Sequence, residues 1–313
     1  MQEVLDCIIV GGGPAGLNCA VVLGRCHRKV LLFDSKHYRN RYTHGMHNYL
    51  TRDHVPPAEF LSLCHKELEK YGVPLLYKTV TQGRKNNQGL FEVRTTDNSV
   101  YYSKKMLIAT GLKDNWPTVA GMEPFYGYSI HHCPYCDGWE ATGRKLGVYA
   151  PNKEGWELAL NLKRWSSDVT LYTDGKHKIK KEQKAWLDAV GVRLISKRME
   201  RVEGSNKQLQ RIYFTDGSTT ECDNLFFVNG YEQGCDLATT FDCTLSRKGV
   251  VVTNRFQQTE IPGLYVAGDA DKDMHFVVVA AAEGAKAGVM INKELQKEWA
   301  ASLIRKRPVA AAV

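Results

Sequence analysis

Residues 6–35 read DCIIVGGGPAGLNCAVVLGRCHRKVLLFDS. An apolar run stops at successive glycines, an amphipathic stretch follows, and a second apolar run ends in an acid. Strands without polar alternation are buried on both faces, as in a parallel sheet. The segment therefore predicts strand, tight turn, helix, strand. Gly11, Gly13 and Gly16 give G-x-G-x-x-G at the turn, with Pro14 and Ala15 between them, and Asp34 ends the second strand 18 residues after Gly16. The glycine spacing alone is a weak signal. At a strand-to-helix junction with an acid at this distance, it is a dinucleotide fingerprint. The glycines let backbone approach a pyrophosphate at the helix N-terminus, and Asp34 can accept from a ribose hydroxyl.

A second copy of the rhythm occupies residues 145–175, KLGVYAPNKEGWELALNLKRWSSDVTLYTDG. It predicts a second βαβ unit with a helix of about a dozen residues, hence a second dinucleotide-type domain. Its turn is damaged. Ala150, Asn152 and Gly155 stand where three glycines are expected, and each added Cβ obstructs a close pyrophosphate. No arginine pair follows the second strand to hold a 2′-phosphate. Asp174 leaves an unphosphorylated ribose open, so NADH survives as an option, but neither nicotinamide cofactor is well supported. Near the C-terminus, IPGLYVAGDADKD predicts a strand ending at Gly268 and Asp269 before an alanine-rich helix. The tail RPVAAAV has too little apolar bulk to fold by itself and is expected to be a loose end.

The stretch IHHCPYCDGWE, residues 130–140, places Cys133 and Cys136 two residues apart. Three chemistries compete for it: a redox dithiol, part of a zinc site with His131, or two inert thiols. Zinc lacks a fourth ligand motif. For a dithiol, the helix start predicted here would lower one thiol pKa. The chain has nine cysteines in all, an odd number without framework spacing, which points to a reducing cytoplasmic setting. Cys7 and Cys19 fall in the first strand and helix and read as small buried side chains.

Bulk properties narrow the classes further. Of 313 residues, 43% are hydrophobic and 24% charged, as in a globular protein of two moderate domains. The longest apolar run, Phe276 to Ala282, is far short of the ~18 residues of a membrane span, and no secretory leader is evident. The formal charge of +8 is spread along the chain with no nucleic-acid-binding motif, so nucleic acid is not expected. A basic surface would suit an acidic protein partner.

Taken together, GGGPAG (11–16), ATG (109–111), CPYCDG (133–138) and GLYVAGDA (263–270), in this order and spacing, resemble the low-molecular-weight thioredoxin reductase-type flavoproteins over nearly the whole chain. The resemblance implies an α/β fold of two Rossmann-like domains, the second inserted into the first. Residues 1–116 and 246–313 would form a discontinuous FAD-binding domain, and 117–245 a degenerate pyridine-nucleotide-type domain carrying the dithiol. Non-covalent FAD would rest on Gly11, Gly13, Pro14, Ala15, Gly16 and Asp34, with Asn48, Thr110, Gly111, Gly268 and Asp269 completing the site. Cys136 would be the flavin-facing sulfur, Cys133 the thiol that attacks the substrate disulfide, and Asp137 the proton donor. No metal ligand is implied, and the expected assembly is a homodimer.

Three departures mark a divergent branch. The second fingerprint is degraded, Val277 and Val278 replace an Arg-Gln pair, and RNRYTHGMHNYLTRDHVPPAEF (39–60) replaces the usual segment beside the flavin. Ferredoxin-dependent flavin thioredoxin reductases and the deeply rooted cyanobacterial type resemble this chain in lacking an intact NADPH motif. The leading expectation is electron transfer from a donor other than NADPH, such as an acidic ferredoxin, through Cys133 and Cys136 to a thioredoxin-like protein or small disulfide. The alternative is a gliotoxin-type oxidase closing small dithiols with oxygen as acceptor. Those enzymes carry histidine after the second cysteine, where this chain has Asp137. A flavin-bearing sensor is the third reading. His47 and Asn48 are read as lying over the flavin or substrate, or as an ordinary loop pair. Trp299 reads as packing or as a flavin cover.

Overall fold

The structure, a computed structural model, describes residues 3–271 and 274–305; Lys272, Asp273 and the RPVAAAV tail lie outside the described residues. Chain contacts divide it into two units. The first gathers the residues up to Arg39, Ala58–Lys113 and Glu232 onward, and the second Asn40–Pro57 and Asp114–Tyr231.

Along the first unit come β1 (Val4–Val10), α1 (Pro14–Arg25), β2 (Val30–Phe33), α2 (Pro57–Lys70), β3 (Leu75–Leu76), β4 (Val80–Lys85), β5 (Phe91–Thr95), β6 (Val100–Ile108) and β7 (Leu112–Asp114). In the second unit follow β8 (Ile130–His131), α3 (Pro134–Asp137), β9 (Leu146–Tyr149), α4 (Gly155–Leu162), β10 (Val169–Tyr172), α5 (Lys181–Ala189), β11 (Arg193–Ile195), β12 (Met199–Ser205), β13 (Gln208–Phe214), β14 (Thr219–Glu221) and β15 (Asn224–Phe227). The chain then closes the first unit with β16 (Tyr231–Gln233), α6 (Leu237–Thr240), β17 (Leu264–Val266) and α7 (Val277–Arg305). No helix among the described residues is long and apolar enough to cross a membrane.

The first unit's sheet runs β3-β2-β1-β6-β5-β4, with β17 also on β6. Strand β1 pairs in parallel with β2 and β6, Ile9 opposite Leu32 and Leu107. Strands β4 and β5 reverse direction to form an antiparallel extension. Because side chains alternate across a sheet, Cys7 and Ile9 face the core under α1 and α7, while Ile8 and Val10 face a second core with Phe91 and Phe241. Both faces of β1 are buried, which is why its sequence shows no polar alternation. Small residues bring α1 and α7 together: a Cβ on Gly284 would stand 1.9 Å from the Ala15 carbonyl oxygen. The buried Cys7 and Cys19 act as small apolar side chains, and burial pushes both thiol pKa values far up.

In the second unit, β11-β10-β9-β15-β8 form a parallel sheet, and β12-β13-β14 an antiparallel one. The βαβ rhythm read at 145–175 is present as β9-α4-β10, although α4 has only eight residues. The basic run KHKIKK leads into α5, with Lys180 as its N-cap.

Candidate functional site

Strand β8 ends at His131, and the chain turns at once into α3, carrying Cys133 and Cys136 side by side. Cys133 is extended (φ −127°, ψ 113°) and Pro134 starts the turn, where its missing N–H costs nothing. The Asp137 N–H returns to the Cys133 carbonyl at 3.2 Å. This places the two Cα atoms 5.3 Å apart, within the range a disulfide spans, and the sulfurs are paired as one. None of the other seven cysteines is part of a disulfide. Helix α3 is four residues long, so few peptide dipoles are aligned and the dipole argument for thiol activation carries little weight here.

The polar neighbour of the dithiol is a pair of side chains instead. His131, 6% exposed, sets Nδ1 3.2 Å from Oδ1 of Asp137, within ion-pair reach but without hydrogen-bond alignment. Its Nε2 meets the Asn224 amide at 3.3 Å, and its ring leans on Phe226. Asn224 is the residue that sequence reasoning missed. It lies 93 positions from His131, and only the pairing of β15 with β8 brings it there. His132 points elsewhere, to the Tyr126 hydroxyl at 3.1 Å.

Asn48 belongs to this unit as well. Its side-chain amide donates to the Tyr135 carbonyl of α3 at 2.8 Å, and its N–H donates to Asp53 at 3.0 Å. The segment 40–57 is thus tied to the dithiol turn.

The damaged second turn is closed by its own side chains. Asn152 donates to the Val228 carbonyl at 2.9 Å and accepts the Glu154 N–H at 3.0 Å. Ala150 is fully buried. Asp174, in the left-handed region at φ 56°, accepts from the Tyr149 hydroxyl (3.1 Å), the Met199 N–H (2.8 Å) and the Lys176 ammonium (2.8 Å). Burial, with Asp174 beside it, keeps Tyr149 protonated as a donor. The acid that the sequence leaves open for a ribose is held by three donors, two of them from other strands.

In the first unit, the intact fingerprint has the opposite character. Gly11 adopts φ +115°, and a Cβ there would stand 2.1 Å from the Ala109 carbonyl; one on Gly16 would meet the Gly11 carbonyl at 1.9 Å. These two glycines serve the turn itself. At Gly13 nothing lies within 4 Å of an added Cβ, so this stretch of backbone faces open space at the start of α1, with Pro14 at the first helical position. Asp34, 3% exposed, accepts the Lys36 N–H at 2.8 Å and the Tyr38 hydroxyl. Beside it opens a cavity of about 290 Å³ whose lining includes Lys36, Tyr77, Lys78 and Asp97. Gly268 (φ +80°) donates to the buried Glu283 at 2.9 Å, and Asp269 pairs with Arg39 at 3.1 Å. Gly111, at φ +65°, accepts from Gly234 through its carbonyl, and the buried Thr110 hydroxyl has no partner. A glycine cradle open at Gly13, an acid beside it and an orphaned hydroxyl fit a flavin dinucleotide. Val277 and Val278 open α7 without the Arg-Gln pair, and Trp299 is 56% exposed.

Residues 5–284 match the model of the pyridine nucleotide-disulphide oxidoreductase family. The thioredoxin reductase tcpT of Claviceps purpurea is 31% identical over 305 residues, covering 94% of this chain and 95% of its own. Among solved structures, TrxB from Bacillus anthracis superposes with a TM-score of 0.89 at 31% identity (94% of this chain, 99% of that one). HlmI superposes at 0.93 with 28% identity, covering 97% of each.

Proposed function

Since this chain belongs to the pyridine nucleotide-disulphide oxidoreductase family, and is a flavin-dependent disulfide oxidoreductase of the thioredoxin reductase type, we propose that it reduces a protein disulfide, of a thioredoxin-like partner, with electrons from a donor other than NADPH or NADH. The observation that carries the reading is a contrast between its two dinucleotide turns. One is open at Gly13, whereas Asn152 and Asp174 are consumed in closing the other.

FAD, when bound, supplies the two-electron chemistry. The remaining steps belong to the chain's own residues. With the pair reduced, the Cys133 thiolate attacks one sulfur of the substrate disulfide, and the departing sulfur leaves as a thiolate that needs a proton. Cys136 then attacks Cys133, which releases the second substrate thiolate and restores the Cys133–Cys136 disulfide. Asp137, with Nδ1 of His131 beside it, is the proton source for the leaving thiolates. Thus one disulfide is reduced as another forms between Cys133 and Cys136.

The +8 charge supports a small acidic electron carrier of the ferredoxin kind as donor. The absence of Cys7, Cys19, Cys26, Cys222, Cys235 and Cys243 from any disulfide among the described residues supports a reducing, cytoplasmic setting. A homodimer is the proposed assembly. The test is an anaerobic titration of the purified protein with NADPH, then NADH, following flavin absorbance. No bleaching by either, with full reduction by dithionite or reduced ferredoxin, is the expected result. Stoichiometric bleaching by NADPH or NADH would overturn the proposed donor.

A further inference from the structure

Around the bridge between Met46 and Val55, the segment 46–55 folds back on itself, so His47 and His54 come face to face with ring centroids 4.9 Å apart. Glu140, on the turn after α3, reaches the same place: its carboxylate lies 3.6 Å from Nε2 of His47. One ligand atom from each of His47, His54 and Glu140 lies within 4.8 Å of the others. The opposite nitrogen of His47, Nδ1, lies 3.4 Å from Asp53, which the Asn48 N–H also holds. A carboxylate on the far ring nitrogen orients a metal-binding histidine and raises its basicity. His47 is largely buried, and both its nitrogens face acids.

The geometry points to a divalent-cation site of the zinc class at His47, His54 and Glu140, with Asp53 as the carboxylate behind His47. Two imidazoles and one carboxylate suit a borderline cation such as Zn²⁺ better than Mg²⁺ or Ca²⁺, which prefer all-oxygen shells. Three protein ligands leave a fourth position for water. Tetrahedral zinc wants ligand atoms roughly 3.3 Å apart, so rotation of the exposed His54 and Glu140 side chains is enough to close the set. Asn48, Thr51 and His54 all hold positive φ here (63°, 71° and 67°), so the fold-back is a defined conformation. Glu140 stands four residues beyond Cys136, and a bound cation would therefore join the 46–55 segment to the dithiol turn by a second link beside the Asn48–Tyr135 hydrogen bond. None of these ligands was legible as a set in the sequence, because Glu140 lies far from both histidines along the chain.

The experiment is calorimetric titration of the chelator-treated, flavin-loaded full chain with ZnCl₂. A Cys133→Ser/Cys136→Ser background keeps the dithiol from contributing. One equivalent of Zn²⁺ is expected to bind at micromolar or better affinity. Glu140→Gln and His54→Ala, both at exposed positions, are expected to weaken it by about tenfold or more, with flavin absorbance and melting temperature unchanged in the absence of metal. No uptake at about 100 μM Zn²⁺ would overturn the site, and so would uptake that neither substitution alters.

Discussion

Nδ1 of His131 stands 3.2 Å from Oδ1 of Asp137, so the last residue of β8 meets the last residue of α3, the helix that carries Cys136. The histidine ends a strand and the aspartate belongs to a helix turn. In space they are neighbours, with Asn224 on the far side of the imidazole.

Removing the carboxyl tests the proposed proton source. Asp137→Asn is expected to slow reoxidation of the dithionite-reduced protein by a thioredoxin disulfide by about 10²–10⁴-fold, the usual worth of a positioned general acid. His131→Gln is expected to cost less, about tenfold, because the carboxyl remains. Stopped-flow flavin absorbance gives both rates. Equal rates in wild type and Asp137→Asn would remove Asp137 from the chemistry.

The glycine cradle separates fold from ligand. Gly13→Ala adds a methyl where nothing lies within 4 Å, so the apoprotein should melt at the wild-type temperature while FAD affinity falls by about tenfold or more, or ~1.4 kcal/mol. Gly11→Ala puts its Cβ onto the Ala109 carbonyl at positive φ, and is expected to lower the stability of the apoprotein itself. Circular dichroism melts and fluorescence titration with FAD distinguish the two. Unchanged FAD affinity in Gly13→Ala would show that the open face is not the pyrophosphate floor.

How much of this was readable beforehand depends on the range of the interaction. The intact turn was legible because its demands are local: φ at Gly11 and close approach at Gly16 are set within a few residues. The Cys133–Cys136 pair was legible for the same reason. The commitment of Asp174 was not, because Met199 and Tyr149 arrive from other strands. The association of Asn48 with Tyr135 and the His131–Asn224 contact were hidden in the same way. The segment 40–57 carries neither helical nor strand periodicity, so nothing in its pattern told which unit it joins.

The contact between α1 and α7 makes a separate claim. With its Cβ 1.9 Å from the Ala15 carbonyl oxygen, Gly284→Ala forces the helices apart, an overpacking cost of about 1–3 kcal/mol. Because Ala15 belongs to the glycine turn, FAD retention on gel filtration should fall together with the melting temperature. A melt within a degree of wild type would mean the helices separate freely.

Acid stability should follow Glu294. Burial acts to raise its pKa, but the hydrogen bond from Lys105, supported by Tyr265 and Gln258, outweighs this and leaves the carboxyl below its usual range. Lys105, 6% exposed in β6, meets Glu294 at 2.7 Å and Glu298 at 2.6 Å on α7. A carboxyl whose pKa is lower folded than unfolded stabilises fully above the unfolded value, about 4.3 for glutamate, and that stability is lost as pH falls through the folded value. Glu294→Gln is therefore expected to cost about 1–2 kcal/mol at pH 7, read from urea midpoints. Below pH ~4 the difference from wild type should shrink steadily. If the gap held constant or widened on acidification, ionised Glu294 would not be what joins Lys105 to α7.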